Sequence, residues 1–300
     1  MNLPDLAELI ALRGAARPLS LHTHRPALAQ LQGGHRSAQR GRGLEFEEVR
    51  QYAAGDDARN IDWRVTARRG KVHTKLFREE RERPVWLVLD LHAGLFFGSK
   101  RQLKSALLVR AAAMLAWVAA QGGDRVGAII TNGLGAPRIF QPRSREAGVL
   151  PILEYLIETQ PHAPAVPQIN GLFNALSILR PLLQPGSQIL LVSDFAGLDL
   201  AVEDLLTIIS TRSDCRLMWI TDPLEANGLP DGSHYLGVPG KLWRMDGAQS
   251  RSAWLKVWQA REQQLNNMAT RHNFPLSRLD TTDPVEERLI TLLREPRWAA

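Results

Sequence analysis

The chain has 300 residues, of which 44% are hydrophobic and 23% charged, proportions that build a sizeable core and exclude extensive disorder. Lys and Arg number 37 against 31 Asp and Glu, for a net charge of +6. The single cysteine, Cys215, excludes an intramolecular disulfide framework and a Cys-rich zinc module, and fits a reducing compartment.

The N-terminal stretch holds Leu3, Leu6, Ile10 and Leu12, which suggests a short amphipathic helix. It also carries Asp5, Glu8 and Arg13, so no signal-peptide core is expected. Next comes a polar loop rich in Gly and Arg around Gly33 to Gly43, and then alternation over Lys71 to Phe77 that predicts a strand. Pro84 opens a different regime. Val85 to Leu89 is a continuous apolar run, as in a strand buried on both faces, and ends in Asp90. Ser99 is placed to cap a long helix with Leu103, Leu107, Ala111, Met114 and Val118 on its apolar face. Arg110 interrupts that helix and it is short for a membrane span, so no integral membrane segment is expected and the location is read as cytoplasmic. Gly122-Gly123 stops it.

Further strands are expected at Arg125 to Thr131, Arg138 to Gln141, Gln188 to Val192, Leu217 to Thr221 and Pro275 to Leu279. Helices are expected at Arg145 to Glu158, Asn170 to Leu183, Leu200 to Thr211, Ala253 to Arg271 and Val285 to Leu293, with a hairpin over Ser233 to Met245. Such alternation predicts an α/β fold, a mostly parallel sheet with helices on both faces. The expected division is an N-terminal segment with some β structure, residues 1–83, packing on a main domain, residues 84–300.

In such sheets ligands bind at the carboxyl ends of strands. Asp90 and Asp194 follow two of the buried runs. Two carboxylates at strand ends are candidates for holding Mg²⁺. The alternative is that both carboxylates accept hydrogen bonds from loop amides. No phosphate loop, dinucleotide fingerprint, nucleophile elbow or His-Glu-x-x-His motif occurs in the chain.

Ahead of the α/β unit, acids, arginines and aromatics interleave: Phe46, Arg50, Tyr52, Asp56, Asp57, Arg59, Asp62, Trp63 and Arg68. Arginine grips carboxylates bidentately, so these residues are candidates for a charge network, either structural or a recognition surface.

This block, from Phe46 through Gly55-Asp56-Asp57 and Ile61-Asp62-Trp63 to Ala67-Arg68, resembles the signature of the domain-of-unknown-function 58 family. The resemblance continues through Val88-Leu89-Asp90, Thr221-Asp222-Pro223-Leu224-Glu225, Leu229-Pro230-Asp231 and Leu279-Asp280-Thr281. It implies a von Willebrand factor A-like (Rossmann-type) domain. It also implies a MoxR-type AAA+ ATPase partner, in chaperone-like maturation or stress response. The metal-ion-dependent adhesion site of that fold carries Asp-x-Ser-x-Ser, with a Thr from another loop as a further ligand; here Asp90-Leu91-His92-Ala93-Gly94 stands in the first place, Asn170 is the nearest counterpart of the Thr and so the third metal candidate, and the oxygen set is depleted. The leading expectation is therefore a non-enzymatic protein-interaction adaptor with a degenerate metal site. The alternatives are nucleic-acid binding through the basic N-terminal segment, with acids interleaved against it, and a metal-dependent hydrolase using Asp90 and Asp194 with His92.

Overall fold

The computed structural model describes residues 2–21, 44–53, 56, 58–79, 83–133, 135–166, 170–238 and 240–294. The Gly- and Arg-rich loop, Gly55 and Asp57 lie outside these residues. The chain forms two compact units, one of residues 35–82 and one of residues 1–34 with 83–300.

Helix α1 (Leu6–Ala16) belongs to the larger unit. Asp5 caps it, accepting the Glu8 N–H at 2.8 Å. Its buried face is Leu9, Leu12 and Ala16, whereas Ile10, expected on that face, is exposed. The 3.6-residue period selects the 9–12–16 stripe once the neighbouring helix is in place.

The smaller unit pairs β1 (Leu44–Gln51) antiparallel with β2 (His73–Glu79), with α2 (Trp63–Arg69) between them. Phe46 lies opposite Phe77 in this ladder. Asp62 is the N-cap of α2, accepting the Arg64 and Val65 N–H groups at 3.0 and 3.1 Å. Gly70, at φ +67°, ends the helix in the left-handed region that glycine adopts without strain.

The larger unit alternates strands and helices: β3 (Pro84–Asp90), α3 (Lys104–Gln121), β4 (Arg125–Thr131), β5 (Arg138–Ser144), α4 (Glu146–Thr159), α5 (Gly171–Leu179), β6 (Gln188–Ser193), α6 (Leu200–Ser210) and β7 (Asp214–Thr221). A short helix α7 (Pro223–Asn227) and the hairpin β8 (Ser233–Val238)–β9 (Lys241–Asp246) follow. Helix α8 (Gly247–His272), β10 (Leu276–Asp280) and α9 (Val285–Arg294) complete it. The six-stranded sheet runs β10-β7-β6-β3-β4-β5; every pair is parallel except β4–β5, an antiparallel edge. This is the expected α/β architecture of Rossmann-like, von Willebrand factor A type.

Successive strand side chains point to opposite faces, and the core divides accordingly. Val85, Leu87 and Leu89 pack with α1, α3, α4 and α9. Trp86 and Val88 pack with α5, α6 and α8. Cys215 is a buried residue within β7. Among the described residues no helix is long and apolar enough to cross a membrane.

A second expectation fails. Helix α3 begins at Lys104, after Leu103, with no side-chain cap. Ser99 does not cap it: its N–H and hydroxyl both donate to Asp222, at 2.8 and 2.5 Å. A buried carboxylate on α7 outcompetes the local capping geometry, because it offers two charge-assisted bonds.

Candidate functional site

Strands β3 and β6 are neighbours, yet the chain leaves β3 for β4 on one side and returns to β6 on the other. Their carboxyl ends are thus the topological switch point of the sheet. Asp90 is the last residue of β3, and Asp194 follows β6 directly. With His92 they form a buried group whose ligand-type atoms lie within 4.8 Å of one another. Tertiary structure therefore brings together two of the three expected metal candidates. The third, Asn170, is exposed at the start of α5 and makes no side-chain cap bond there. Its neighbour Gly171 approaches instead: a Cβ on it would stand 2.7 Å from Thr131 Oγ1 and 3.4 Å from Asp90 Oδ1.

Asp194 is surrounded by donors. Lys104 Nζ donates to Oδ2 at 2.9 Å. His92 Nε2 lies 3.2 Å from Oδ1, and the Ala196 N–H donates to the same oxygen at 2.9 Å. Its backbone carbonyl accepts from Trp219 Nε1 at 3.2 Å and from the Arg261 guanidinium. Burial alone would raise the Asp194 pKa, but Lys104, His92 and Arg261 outweigh it and hold the carboxyl well below its ordinary value. Phe195 follows in the left-handed region at φ 56°, uncommon for a bulky residue, and its N–H donates to Ser193 Oγ at 2.8 Å.

Lys104 is almost wholly buried, and its ammonium also donates to Glu225 Oε1 at 2.8 Å. Burial would lower its pKa; Asp194 and Glu225 reverse that and raise it, so the group is a fixed cation. Asp90 differs from Asp194. Its Oδ2 accepts from Ser193 Oγ at 2.8 Å, but no cation reaches it directly among the described residues. Burial, added to by the nearby Asp194 charge, pushes its pKa up to about 6.

His92 has both ring nitrogens engaged, because Nδ1 accepts the Gly94 N–H at 3.1 Å while Nε2 faces Asp194. The ring therefore carries its proton on Nε2. It is not a free general base, which weighs against the hydrolase alternative.

The donor set does not fit a hard divalent cation. Mg²⁺ takes oxygens in an octahedral shell. Here one Asp194 oxygen faces an ammonium and the other an imidazole and an amide. A cation between Asp90 and Asp194 would meet Lys104 as a like charge.

A second layer surrounds the site. Asp222, fully buried, caps α7 in a reciprocal box with Glu225 and also accepts from Ser99 and from Thr281 Oγ1. Trp254 Nε1 donates to the Glu225 carbonyl at 2.9 Å, and Trp219 stacks on Trp258 at 5.0 Å. Trp254, Trp258, Arg261 and Glu225, with Met245, Ala253 and Val257, line an apolar cavity of about 390 Å³. The polar cluster thus braces the walls of an apolar pocket beside it.

Sequence reasoning missed Lys104, Glu225 and Arg261. Two signals were available. A lysine in the first turn of an apolar helix opposes the helix dipole, and Asp222-Pro223-Leu224-Glu225 has the spacing of a capping box.

In the smaller unit the expected charge network resolves into two local clusters. Arg50 pairs with Asp56 at 2.7 Å, Asp56 also accepts the Ala53 N–H, and the Tyr52 hydroxyl donates to the Asp56 carbonyl. Asp62 caps α2, with Lys75 at 3.5 Å. Arg59 and Arg68 are exposed, and Trp63 is 69% exposed.

The family model "Protein of unknown function DUF58" matches residues 48–239. Uncharacterized proteins of Mycobacterium bovis and Mycobacterium tuberculosis are 34% identical over 221 residues, covering 73% of this chain and 68% of each relative. A crystal structure of a conserved hypothetical protein, BatB from Bacteroides thetaiotaomicron, aligns with a TM-score of 0.43 at 11% identity, over 70% of this chain and 97% of that one. An aerotolerance-related membrane protein from Bacteroides fragilis aligns with a TM-score of 0.42 at 13% identity, over 70% and 98%. The chain belongs to the DUF58 family of proteins of unknown function.

Proposed function

We propose that this protein is a non-enzymatic interaction adaptor acting with a MoxR-type AAA+ ATPase. The observation that supports it is the apolar surface beside the strand-end cluster. Val257 is 71% and Trp243 49% exposed. Alternation along β9 puts Trp243 on the same face as Met245, which lines the apolar cavity with Trp254 and Val257. Large aromatics around an apolar pocket, rimmed by Glu225 and Arg261, have the composition of a protein-interaction hot spot. The choice of partner rests on the family resemblance, and the reading sets the protein in the cytoplasm. The test is calorimetry of the purified protein with a MoxR-type AAA+ ATPase of the same organism, with ATP, with ADP and without nucleotide. Saturable binding in at least one state is expected; none in any state overturns the reading.

A second reading, nucleic-acid binding, is favoured by one observation. Asp56 and Asp62 are consumed locally. Arg64, Arg68, Arg69 and Lys71 are exposed and make no ion pair among the described residues, next to exposed Trp63. Cations beside an open aromatic suit a phosphate backbone and stacked bases. A gel-shift with single-stranded oligonucleotides decides it: salt-sensitive retardation supports it, and no retardation at low salt removes it.

A further inference from the structure

We propose that Lys104 is a built-in cation that takes the place of a divalent metal at the sheet's switch point, so that the protein's fold and surface are independent of metal. This does not rest on the adaptor reading, because it concerns the interior of the larger unit alone.

The geometry carries it. A metal site at the ends of β3 and β6 needs a positive charge bridging carboxylates from different elements. Lys104 Nζ does this from α3, joining Asp194 after β6 to Glu225 on α7 at 2.9 and 2.8 Å. The lysine is 1% exposed, so water does not supply the counter-charge. His92 and Ala196 complete Asp194 Oδ1, and Ser193 completes Asp90 Oδ2. Through Glu225 the ammonium connects to Trp254, and through Asp194 to Trp219, its stacked partner Trp258, and Arg261. An ion would be expected to organise such a set of loops by coordination; here a covalently attached ammonium has the same neighbours. A lysine charge cannot dissociate, so no metal concentration controls the arrangement.

Shortening Lys104 leaves Asp194 and Glu225 facing the vacated space, with His92 against Asp194, a donor set of two carboxylates and an imidazole suited to Zn²⁺ or Mn²⁺. The experiment is metal titration of the full chain by calorimetry, with thermal melting alongside, on wild type and Lys104→Ser. Wild type is expected to show no saturable uptake of Mg²⁺ or Mn²⁺ and the same melting temperature with either ion or with EDTA. Lys104→Ser is expected to take up one more Zn²⁺ per chain than wild type, to melt higher with it, and to lose at least about 10-fold in affinity when Asp194→Asn is added.

Saturable binding of one Mg²⁺ or Mn²⁺ by wild type, abolished by Asp90→Asn, overturns the proposal. So does a folded Lys104→Ser that gains no ion. If the variant fails to fold without metal, refolding it with Zn²⁺ gives the same readout: recovery of native circular dichroism supports the proposal, and failure to recover, where Lys104→Met folds, counts against it. The wild-type titration needs no variant.

Discussion

Lys104 Nζ and Asp194 Oδ2 lie 2.9 Å apart, both buried, on elements separated by 90 residues of chain. Breaking a buried pair by removing one partner strands the other charge, at a cost of about 3–5 kcal/mol. Lys104→Met is therefore expected to destabilise the larger unit by about that amount in urea unfolding. Adding Asp194→Asn and Glu225→Gln removes the stranded charges and should recover most of the loss. A cost under about 1 kcal/mol for Lys104→Met would show that the pair contributes little.

Asp90 sets a pH dependence of definite sign. Its folded pKa, about 6, lies above its ordinary 3.8. The folded state thus binds this proton more tightly, and the contribution of Asp90 to stability grows as pH falls from about 6 toward 4. Asp90→Asn removes the effect. Relative to wild type the variant should gain about 2 kcal/mol between about pH 4.5 and pH 7.5. A difference that stays constant with pH would refute the assignment.

Asp222 acts in the opposite window. Burial would raise its pKa, but Ser99 and Thr281 hydrogen bonds outweigh that and hold it below 3.8. Its contribution is present above that ordinary value and is lost as pH falls below it. Asp222→Ala also removes the cap of α7, so a loss of about 2–4 kcal/mol at neutral pH is expected in thermal or urea unfolding. A loss under about 1 kcal/mol would count against these roles.

Gly171 is kept by close approach, not by its backbone angle. A Cβ there meets Thr131 Oγ1 at 2.7 Å and Cγ2 at 3.2 Å. Gly171→Ala should cost about 1–3 kcal/mol, and much less in a Thr131→Ala background, which a double-mutant cycle measures. Additive costs would mean that the two residues do not touch.

Trp243→Glu and Val257→Glu alter exposed positions and should leave stability within about 0.5 kcal/mol of wild type. On the adaptor reading each should weaken ATPase binding at least about 5-fold, the scale of an interface residue worth 1 kcal/mol. Unchanged affinity in both variants would move the docking surface elsewhere.

Much of the fold was legible. Val85–Leu89 and Ile189–Val192 are apolar at every position because strands in the middle of a parallel sheet are covered on both faces. Helix ends were less so: Ser99 looked like a cap and instead serves Asp222, 123 residues away. Asp90 and Asp194 were identifiable because they follow such strands. Their partners were not, since a lysine in the first turn of an apolar helix marks Lys104 as unusual but does not say which carboxylate it faces.

The order of strands and helices, the family and the two acids at the switch point are readable from the chain alone. These follow from short-range periodicity and from residues adjacent in the chain. What those acids do follows from the folded arrangement around them. Burial removes water as a partner, so each charge must find one inside, and the partners of Asp194 come from α3 and α8, far apart along the chain. That closure turns an apparent metal site into a lysine-centred ion cluster and sets an apolar pocket beside it.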